Sequence, residues 1–71
     1  MDLIKIGKYI AEKRKALGLT QKQLAEKLNM SDKSVSKWER GICLPDVSIY
    51  MELCSILRIS INEFLAGEDI G

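Results

Sequence analysis

Apolar residues recur at helical spacing along the whole chain and divide it into five segments. In the first segment they stand three, four or seven positions apart, at Leu3, Ile6, Ile10 and Leu17. Gly18 follows, and glycine readily ends a helix in the left-handed conformation. The pattern therefore predicts a helix over residues 3–17, with one gap in its apolar face where Lys13 and Arg14 stand.

Capping residues mark the second and third helices. Thr20 and Gln23 form a capping box, in which each side chain bonds a backbone N–H at the helix start. The apolar face of the second helix consists of Leu24, Ala25 and Leu28. Asn29 tolerates the left-handed conformation and is predicted to end this helix. The third helix is predicted to lie between Ser31, a favourable N-cap, and Gly41.

The remaining apolar residues predict two more helices. Pro45 disfavours helix at the residue before it, so the stretch that leads to it is predicted to be extended. Asp46 is placed to cap a fourth helix. The inward side of that helix is predicted to consist of Val47, Tyr50, Leu53, Cys54 and Leu57. Ser60 and Glu63 form a second capping box at the start of a fifth helix, which Gly67 closes. Its predicted anchors are Phe64 and Leu65.

A chain of 71 residues has room for one domain with one modest core. Five short helices with brief connections, and no strand-like alternation, indicate an all-α fold. We therefore predict one helical domain over residues 1–67 and a flexible tail over residues 68–71. The two cysteines, Cys43 and Cys54, lack metal-ligand spacing and are interpreted as small apolar core residues in a reduced protein.

Charge is unevenly distributed along the chain, although the net charge is only +1. Residues 1–41 contain ten Lys and Arg and five Asp and Glu, a balance of +5, whereas residues 42–71 contain one Arg and five acidic residues, a balance of −4. The basic half is therefore expected to face a polyanion. No apolar run reaches membrane-spanning length and the start does not read as a signal peptide, so a cytoplasmic protein is expected.

The short turn between the second and third helices suggests a DNA-binding unit. Two or three residues between helices suit a helix-turn-helix, whose second helix lies in the DNA major groove. The small side chain of Ala25 fits the place where the two helices cross. An ordinary three-helix bundle with a tight turn has the same pattern, so this alternative stays open at this point.

The outward face of the third helix favours DNA binding. Val35 and Trp38 face inward on this helix. At about 100° per residue, the opposite side carries Lys33, Ser36, Lys37 and Arg40, with Asp32 at the flank. Lysine can donate to guanine or to phosphate, serine can reach either kind of group, and aspartate can accept from cytosine. The predicted face is basic and polar, as a DNA-reading surface requires.

The sequence resembles the phage-repressor type of helix-turn-helix, the Cro/cI-like or XRE family, over almost its whole length. The stretches that carry the resemblance are residues 18–21, 24–25, 34–41, Pro45 and 57–65. It implies a five-helix, lambda-repressor-like bundle that binds double-stranded DNA as a transcriptional regulator, and a repressor is expected. The chain departs from the family pattern at Asn29, where glycine is more usual, and at Asp32, where amides are common.

The resemblance also implies roles for individual residues. Contacts with base edges are implied for Asp32, Lys33 and Lys37. Contacts with phosphate are implied for Gln21 and Ser34. From their place on the outward face, we add Ser36 to the predicted base contacts and Arg40 to the predicted phosphate contacts.

Two opposite charges interrupt the apolar faces of two helices. Arg14 lies on the apolar stripe of the first helix, and Glu39 lies within about 40° of Val35 on the third. Because an unpaired buried charge costs several kcal/mol, we predict an Arg14–Glu39 ion pair, at least partly buried and bidentate, that locks the two helices together. The family that the chain resembles has the same pair. Two independent surface charges are the alternative.

Trp38 is predicted to pack on the first helix as a core residue.

Other functions and the assembly follow from the same residues. The fold could instead serve mainly as an antitoxin or adaptor that binds another protein. No enzyme, cofactor, metal or small-molecule ligand is predicted, because the chain has no histidine, no glycine-rich phosphate loop and no nucleophile with a base in reach.

One short helix reads few base pairs, so a homodimer on DNA is predicted. Its interface is expected to include Leu44, Ile61, Phe64 and Leu65.

Overall fold

The computed structural model describes residues 1–70, which form five α-helices and one short 3₁₀ turn. The elements are α1 (Leu3–Ala16), α2 (Gln21–Lys27), α3 (Asp32–Glu39), the 3₁₀ turn (Val47–Ile49), α4 (Tyr50–Leu57) and α5 (Ile61–Ala66). This part of the chain contains no strand, and none of its helices is long and apolar enough to cross a membrane. The predicted all-α class with five helices is confirmed.

The predicted capping boxes place the starts of α2 and α5. The Thr20 hydroxyl accepts a hydrogen bond from the backbone N–H of Gln23 (3.0 Å), and the Gln23 amide oxygen accepts one from the backbone N–H of Thr20 (2.8 Å). Ser60 and Glu63 make the same pair of hydrogen bonds at α5. Each box satisfies two backbone donors that a helix start leaves without partners, so each fixes where its helix begins.

Two helices end in the left-handed conformation at residues that carry a Cβ. Asn29 has a φ of 58°, as predicted for the end of α2, and Arg58 ends α4 with a φ of 60°. Arginine rarely adopts this conformation, and nothing in the sequence indicated it there.

Ser31 occupies the N-cap position of α3, but its hydroxyl makes no capping hydrogen bond and lies 3.4 Å from the hydroxyl of Ser34.

The start of the fourth helix differs from the prediction. Asp46 accepts a hydrogen bond from the backbone N–H of Ser48 (3.0 Å) and so caps the 3₁₀ turn, and α4 begins only at Tyr50. Because a 3₁₀ turn has fewer residues per turn than an α-helix, it changes the direction of its side chains. Val47 is therefore 73% exposed, and its predicted place in the core is wrong.

Three further residues lie elsewhere than predicted. Phe64 is fully buried, so it anchors α5 but cannot belong to a dimer surface. Leu65 is 37% exposed and is a surface residue instead of a core anchor. Cys43 is exposed in the loop after α3, whereas Cys54 is buried as predicted. Burial raises the pKa of the Cys54 thiol, which keeps it protonated and unreactive.

One apolar core joins all five helices. Its buried members are Ile6, Ile10, Leu24, Ala25, Leu28, Val35, Trp38, Leu53, Cys54, Leu57 and Phe64. Helices of six to fourteen residues are marginal in water on their own, so their stability comes from this shared core. Trp38 is 4% exposed and is a core residue, as predicted.

The chain after α5 lies against α1. The contacts are the ion pairs Lys5–Glu68 and Lys13–Asp69 and a hydrogen bond from the Tyr9 hydroxyl to Asp69. The Tyr9–Asp69 hydrogen bond is 2.7 Å long, and burial together with this bond raises the pKa of Tyr9. Gly71, the last residue of the predicted tail, lies outside the described residues, and the boundary at residue 67 stays a prediction.

Close packing of α1 on α3 depends on Gly7. A Cβ at this position would lie 2.4 Å from the carbonyl oxygen of Trp38 and 2.7 Å from that of Glu39. Both oxygens belong to the backbone of α3, so they cannot move away without a shift of the whole helix. The sequence alone did not indicate this role, because a glycine inside a helix gives no signal of what it touches.

We expect Gly7→Ala to destabilise the fold. Alanine favours helix over glycine by about 1 kcal/mol, but forcing a methyl group into a packed contact costs about 1–3 kcal/mol, and here the obstacle is rigid backbone. Chemical denaturation should therefore show a lower free energy of unfolding for Gly7→Ala than for the unchanged chain. Lys8→Ala, at an exposed neighbouring position of α1, is the control and should have little effect. Equal or greater stability of Gly7→Ala would contradict the close approach of α1 to α3 at this position.

Candidate nucleic-acid interface

A connection of four residues joins α2 to α3, instead of the two or three predicted, because α2 ends at Lys27, before Leu28. The backbone N–H of Met30 bonds to the carbonyl of Ala25 (2.9 Å), and the left-handed Asn29 turns the chain between them. Ala25 is 1% exposed, which agrees with its predicted place at the crossing of the two helices. The turn thus fixes the direction in which α3 leaves α2.

The outward face of α3 presents two lysines to solvent. Lys33 and Lys37 are exposed and one helical turn apart, while Val35 and Trp38 are buried on the opposite side. Neither lysine forms an ion pair with any residue of the described chain. Asp32 is also exposed, at the first turn of the helix. The inward and outward sides of α3 are therefore those predicted from its periodicity.

Two serines and an arginine complete the surface of α3 and its end. Ser34 and Ser36 are half-buried, and Arg40 is exposed. The Arg40 Nε donates to the hydroxyl of Ser36 (3.2 Å) and to its carbonyl (3.3 Å). Arg40 therefore lies along the helix with its two terminal amino groups free of these bonds, an arrangement that the sequence did not indicate.

Arg14 and Glu39 form a buried, bidentate ion pair between α1 and α3. Arg14 Nε donates to Glu39 Oε2 (2.6 Å) and Arg14 Nη2 donates to Glu39 Oε1 (2.9 Å). The two side chains are only 9% and 7% exposed. This is the arrangement expected from the two charges that interrupt the apolar faces. Hydrogen bonding to Glu39 raises the pKa of Arg14.

The pair is the centre of a larger hydrogen-bond network. Arg14 Nη1 donates to the backbone carbonyl of Leu19 (2.8 Å), in the loop between α1 and α2. The side-chain amide of Gln21 donates to Glu39 Oε1 (2.9 Å). The network therefore connects α1, the start of α2 and the end of α3. The link from Gln21 to Glu39 was missed, because residues 18 positions apart show no pairing pattern in a single sequence.

These features define a helix-turn-helix unit in which α3 exposes two lysines, and the comparisons with known proteins assign the class. Residues 10–64 match the model of the helix-turn-helix family. The chain therefore belongs to this family, and its relatives place it in the phage-repressor or XRE type. The alternative of an ordinary three-helix bundle with a tight turn is thereby set aside.

Three bacterial regulators are similar to the chain. It is 36% identical over 64 residues to the HTH-type transcriptional regulator ImmR of Bacillus subtilis, and 39% identical over 64 residues to the HTH-type transcriptional regulator DicA of Escherichia coli. It is 37% identical over 60 residues to the cryptic phage CTXphi transcriptional repressor RstR of Vibrio cholerae. These matches cover 90%, 90% and 84% of the chain and 50%, 47% and 54% of the relatives. The chain spans about half the length of these relatives.

Two solved structures have a similar fold. The restriction-modification controller protein C.AhdI of Aeromonas hydrophila is 32% identical, with a TM-score of 0.79 over 89% of this chain and 96% of that one. The clp gene regulator ClgR of Corynebacterium glutamicum has a TM-score of 0.81 over 94% of this chain and 71% of that one. At 24% identity, ClgR supports the fold alone.

We expect Glu39→Ala to lower the free energy of unfolding by about 3 kcal/mol, because the change leaves the Arg14 guanidinium buried without its partner. Glu12→Ala, at an exposed position of α1, removes the same charge without breaking a buried pair and should cost far less. Urea denaturation of the three chains measures both effects. If Glu39→Ala lowers the free energy of unfolding no more than Glu12→Ala does, the Arg14–Glu39 pair contributes no more to stability than an exposed ion pair.

Proposed function

We propose that this chain binds double-stranded DNA in a sequence-specific manner, with α3 in the major groove, and that it regulates transcription as a repressor. The observation that carries the proposal is the pair of exposed lysines on α3, which have no ion-pair partner in the described chain. Membership of the helix-turn-helix family supports it. So do the names of similar proteins, which include two transcriptional regulators and a repressor.

The proposed contacts fall into two groups. The residues of α3 that we propose to contact base edges are Asp32, Lys33, Ser36 and Lys37. Residues proposed to bind phosphate are Gln21, Ser34 and Arg40. Base contacts discriminate between sequences, whereas phosphate contacts fix the position of the protein on the duplex. We also place the protein in the cytoplasm, together with the DNA that it is proposed to bind.

A homodimer on DNA is part of the proposal. The eight residues of α3 extend over about 12 Å, which covers only a few base pairs, and a second copy one DNA turn away doubles the site. The proposed interface uses exposed apolar residues of α5, Ile61 (41% exposed) and Leu65 (37%), with the half-buried Leu44. Met51, which is 84% exposed, borders Ile61 in an apolar groove and extends this surface. An exposed apolar groove such as the one that Met51 and Ile61 line is typical of an interface.

Selection of bound duplexes from a random DNA pool tests the function. We expect recovery of one sequence that consists of two symmetric half-sites, with centres about one helical turn (~34 Å) apart. A recovered pool without any shared motif would contradict sequence-specific binding. A shared motif without symmetry, bound by one chain per duplex, would remove the homodimer from the proposal and leave the DNA binding.

Lys37→Ala tests the proposed reading face. We expect it to weaken binding to the selected site by about 1–3 kcal/mol and to change binding to a scrambled duplex little, because a base contact carries discrimination. Gln21→Ala should weaken both complexes by similar factors and leave the salt dependence nearly unchanged, since the lost phosphate contact is uncharged. Fluorescence anisotropy across a salt series measures both variants. If Lys37→Ala instead lowers both affinities equally and flattens the salt dependence, Lys37 binds phosphate.

A further inference from the structure

The side chain of Gln21 connects the buried ion pair with the protein surface. Its Nε2 donates to Glu39 Oε1 (2.9 Å), and Glu39 is only 7% exposed. Gln21 itself is half-buried at the first position of α2. The amide therefore lies between the start of α2 and the end of α3, with one end held from the interior.

The chemistry of Glu39 sets the orientation of this amide. An ionised carboxylate only accepts hydrogen bonds, so it can face the nitrogen end of the Gln21 amide but not the oxygen end. In the described chain, the second N–H of Gln21 Nε2 has no hydrogen-bond partner. The bond to Glu39 thus leaves one amide donor in a fixed direction and available to another acceptor.

Arg14 makes it possible for Glu39 to hold this amide near DNA. An unpaired carboxylate behind Gln21 would repel a phosphate group. Arg14 neutralises it through the two hydrogen bonds of 2.6 and 2.9 Å and also holds the carbonyl of Leu19, two residues before Gln21 (2.8 Å). Arg14 and Glu39 together therefore fix both the backbone that leads into α2 and the side chain that starts it.

We propose that Glu39 is a positioning residue for DNA binding, which presets the Gln21 amide as a donor to a phosphate oxygen of the duplex. A free glutamine side chain loses rotational freedom when it binds, whereas Gln21 has already lost that freedom on folding. The inference rests on the proposed DNA binding and adds to it how the first turn of α2 is prepared for the DNA backbone.

The first test needs no DNA. Solvent exchange of the side-chain amide protons is measured by NMR for Gln21 and for Gln23, which is the internal control because it uses its amide oxygen to bond Thr20 and leaves its nitrogen to solvent. We expect one proton of Gln21 to exchange about fivefold more slowly than those of Gln23, as for a hydrogen bond of ordinary net strength. Glu39→Gln should abolish the difference. Equal exchange at Gln21 and Gln23 in the unchanged chain would overturn the proposal.

The second test is a double-mutant cycle on the selected duplex. In Glu39→Gln the single amide oxygen is taken by Arg14, so the new amide turns its own nitrogen toward Gln21 and no longer holds the nitrogen of Gln21 in place. We expect Gln21→Ala to reduce affinity about fivefold in the unchanged chain and less than about twofold in the Glu39→Gln background. Ser34→Ala, whose hydroxyl does not contact Glu39, is the control and should have the same effect in both backgrounds.

The outcomes separate the inference from the proposed function. If the unchanged chain binds no duplex DNA, the proposed function fails, and the DNA role of Glu39 fails with it. If the unchanged chain binds but Gln21→Ala has the same effect in both backgrounds, only the inference is overturned. If Glu39→Gln does not fold, the inference is tested with the unchanged chain. The exchange of the Gln21 side-chain amide protons is then measured by NMR in the complex with the duplex. The second Nε2 proton of Gln21 must then slow when duplex is added, and an unchanged rate would overturn the proposal.

Discussion

Burial of the Arg14–Glu39 ion pair between α1 and α3 constrains the rest of the candidate site. Two charges that are less than a tenth exposed are tolerated only when their hydrogen-bonding groups have partners. Arg14 meets this requirement with the carboxylate and the Leu19 carbonyl, and Glu39 meets it with Arg14 and Gln21. Because each partner comes from a different element, satisfying the pair also fixes where those elements lie.

Gly7 adds a steric constraint to this electrostatic one. The absence of a side chain there lets the α1 backbone approach the carbonyls of Trp38 and Glu39, at the end of α3 that also holds the ion pair. The position of α3 is thus set by contact distance at Gly7 and by hydrogen-bond geometry at Arg14. Tyr9 and Lys13, which also belong to α1, bind Asp69. The helix α1 therefore supports both α3 and the end of the described chain.

Much of the fold follows from the sequence because its signals are local. The capping boxes at Thr20 and Ser60 and the left-handed Asn29 depend on neighbouring residues, and the structure has them as predicted. Val47 was misplaced because an Asp N-cap does not distinguish a 3₁₀ turn from the first turn of an α-helix.

For the candidate site, periodicity was sufficient to assign the exposed side of α3 and to pair Arg14 with Glu39. It could not identify contacts that depend on tertiary approach, namely the close packing at Gly7 and the hydrogen bond from Gln21 to Glu39. Which of the exposed residues meet bases and which meet phosphates depends on the DNA, and those roles stay proposals.

We infer that the buried Arg14–Glu39 pair orients α3 and α2 for DNA more than it stabilises the fold. The most direct measurement compares the unchanged chain with the double variant Arg14→Met/Glu39→Met in thermal unfolding and in binding to the selected and scrambled duplexes. Replacing both members of a buried pair by apolar residues is often neutral or stabilising, so we predict a melting temperature close to or above that of the unchanged chain. We also predict that affinity for the selected site falls by about tenfold, because the hydrogen bonds of Arg14 and Glu39 that orient α3 are lost. A double variant that keeps both its stability and its full affinity for the selected site would show that the pair does not orient α3 and α2 for DNA binding.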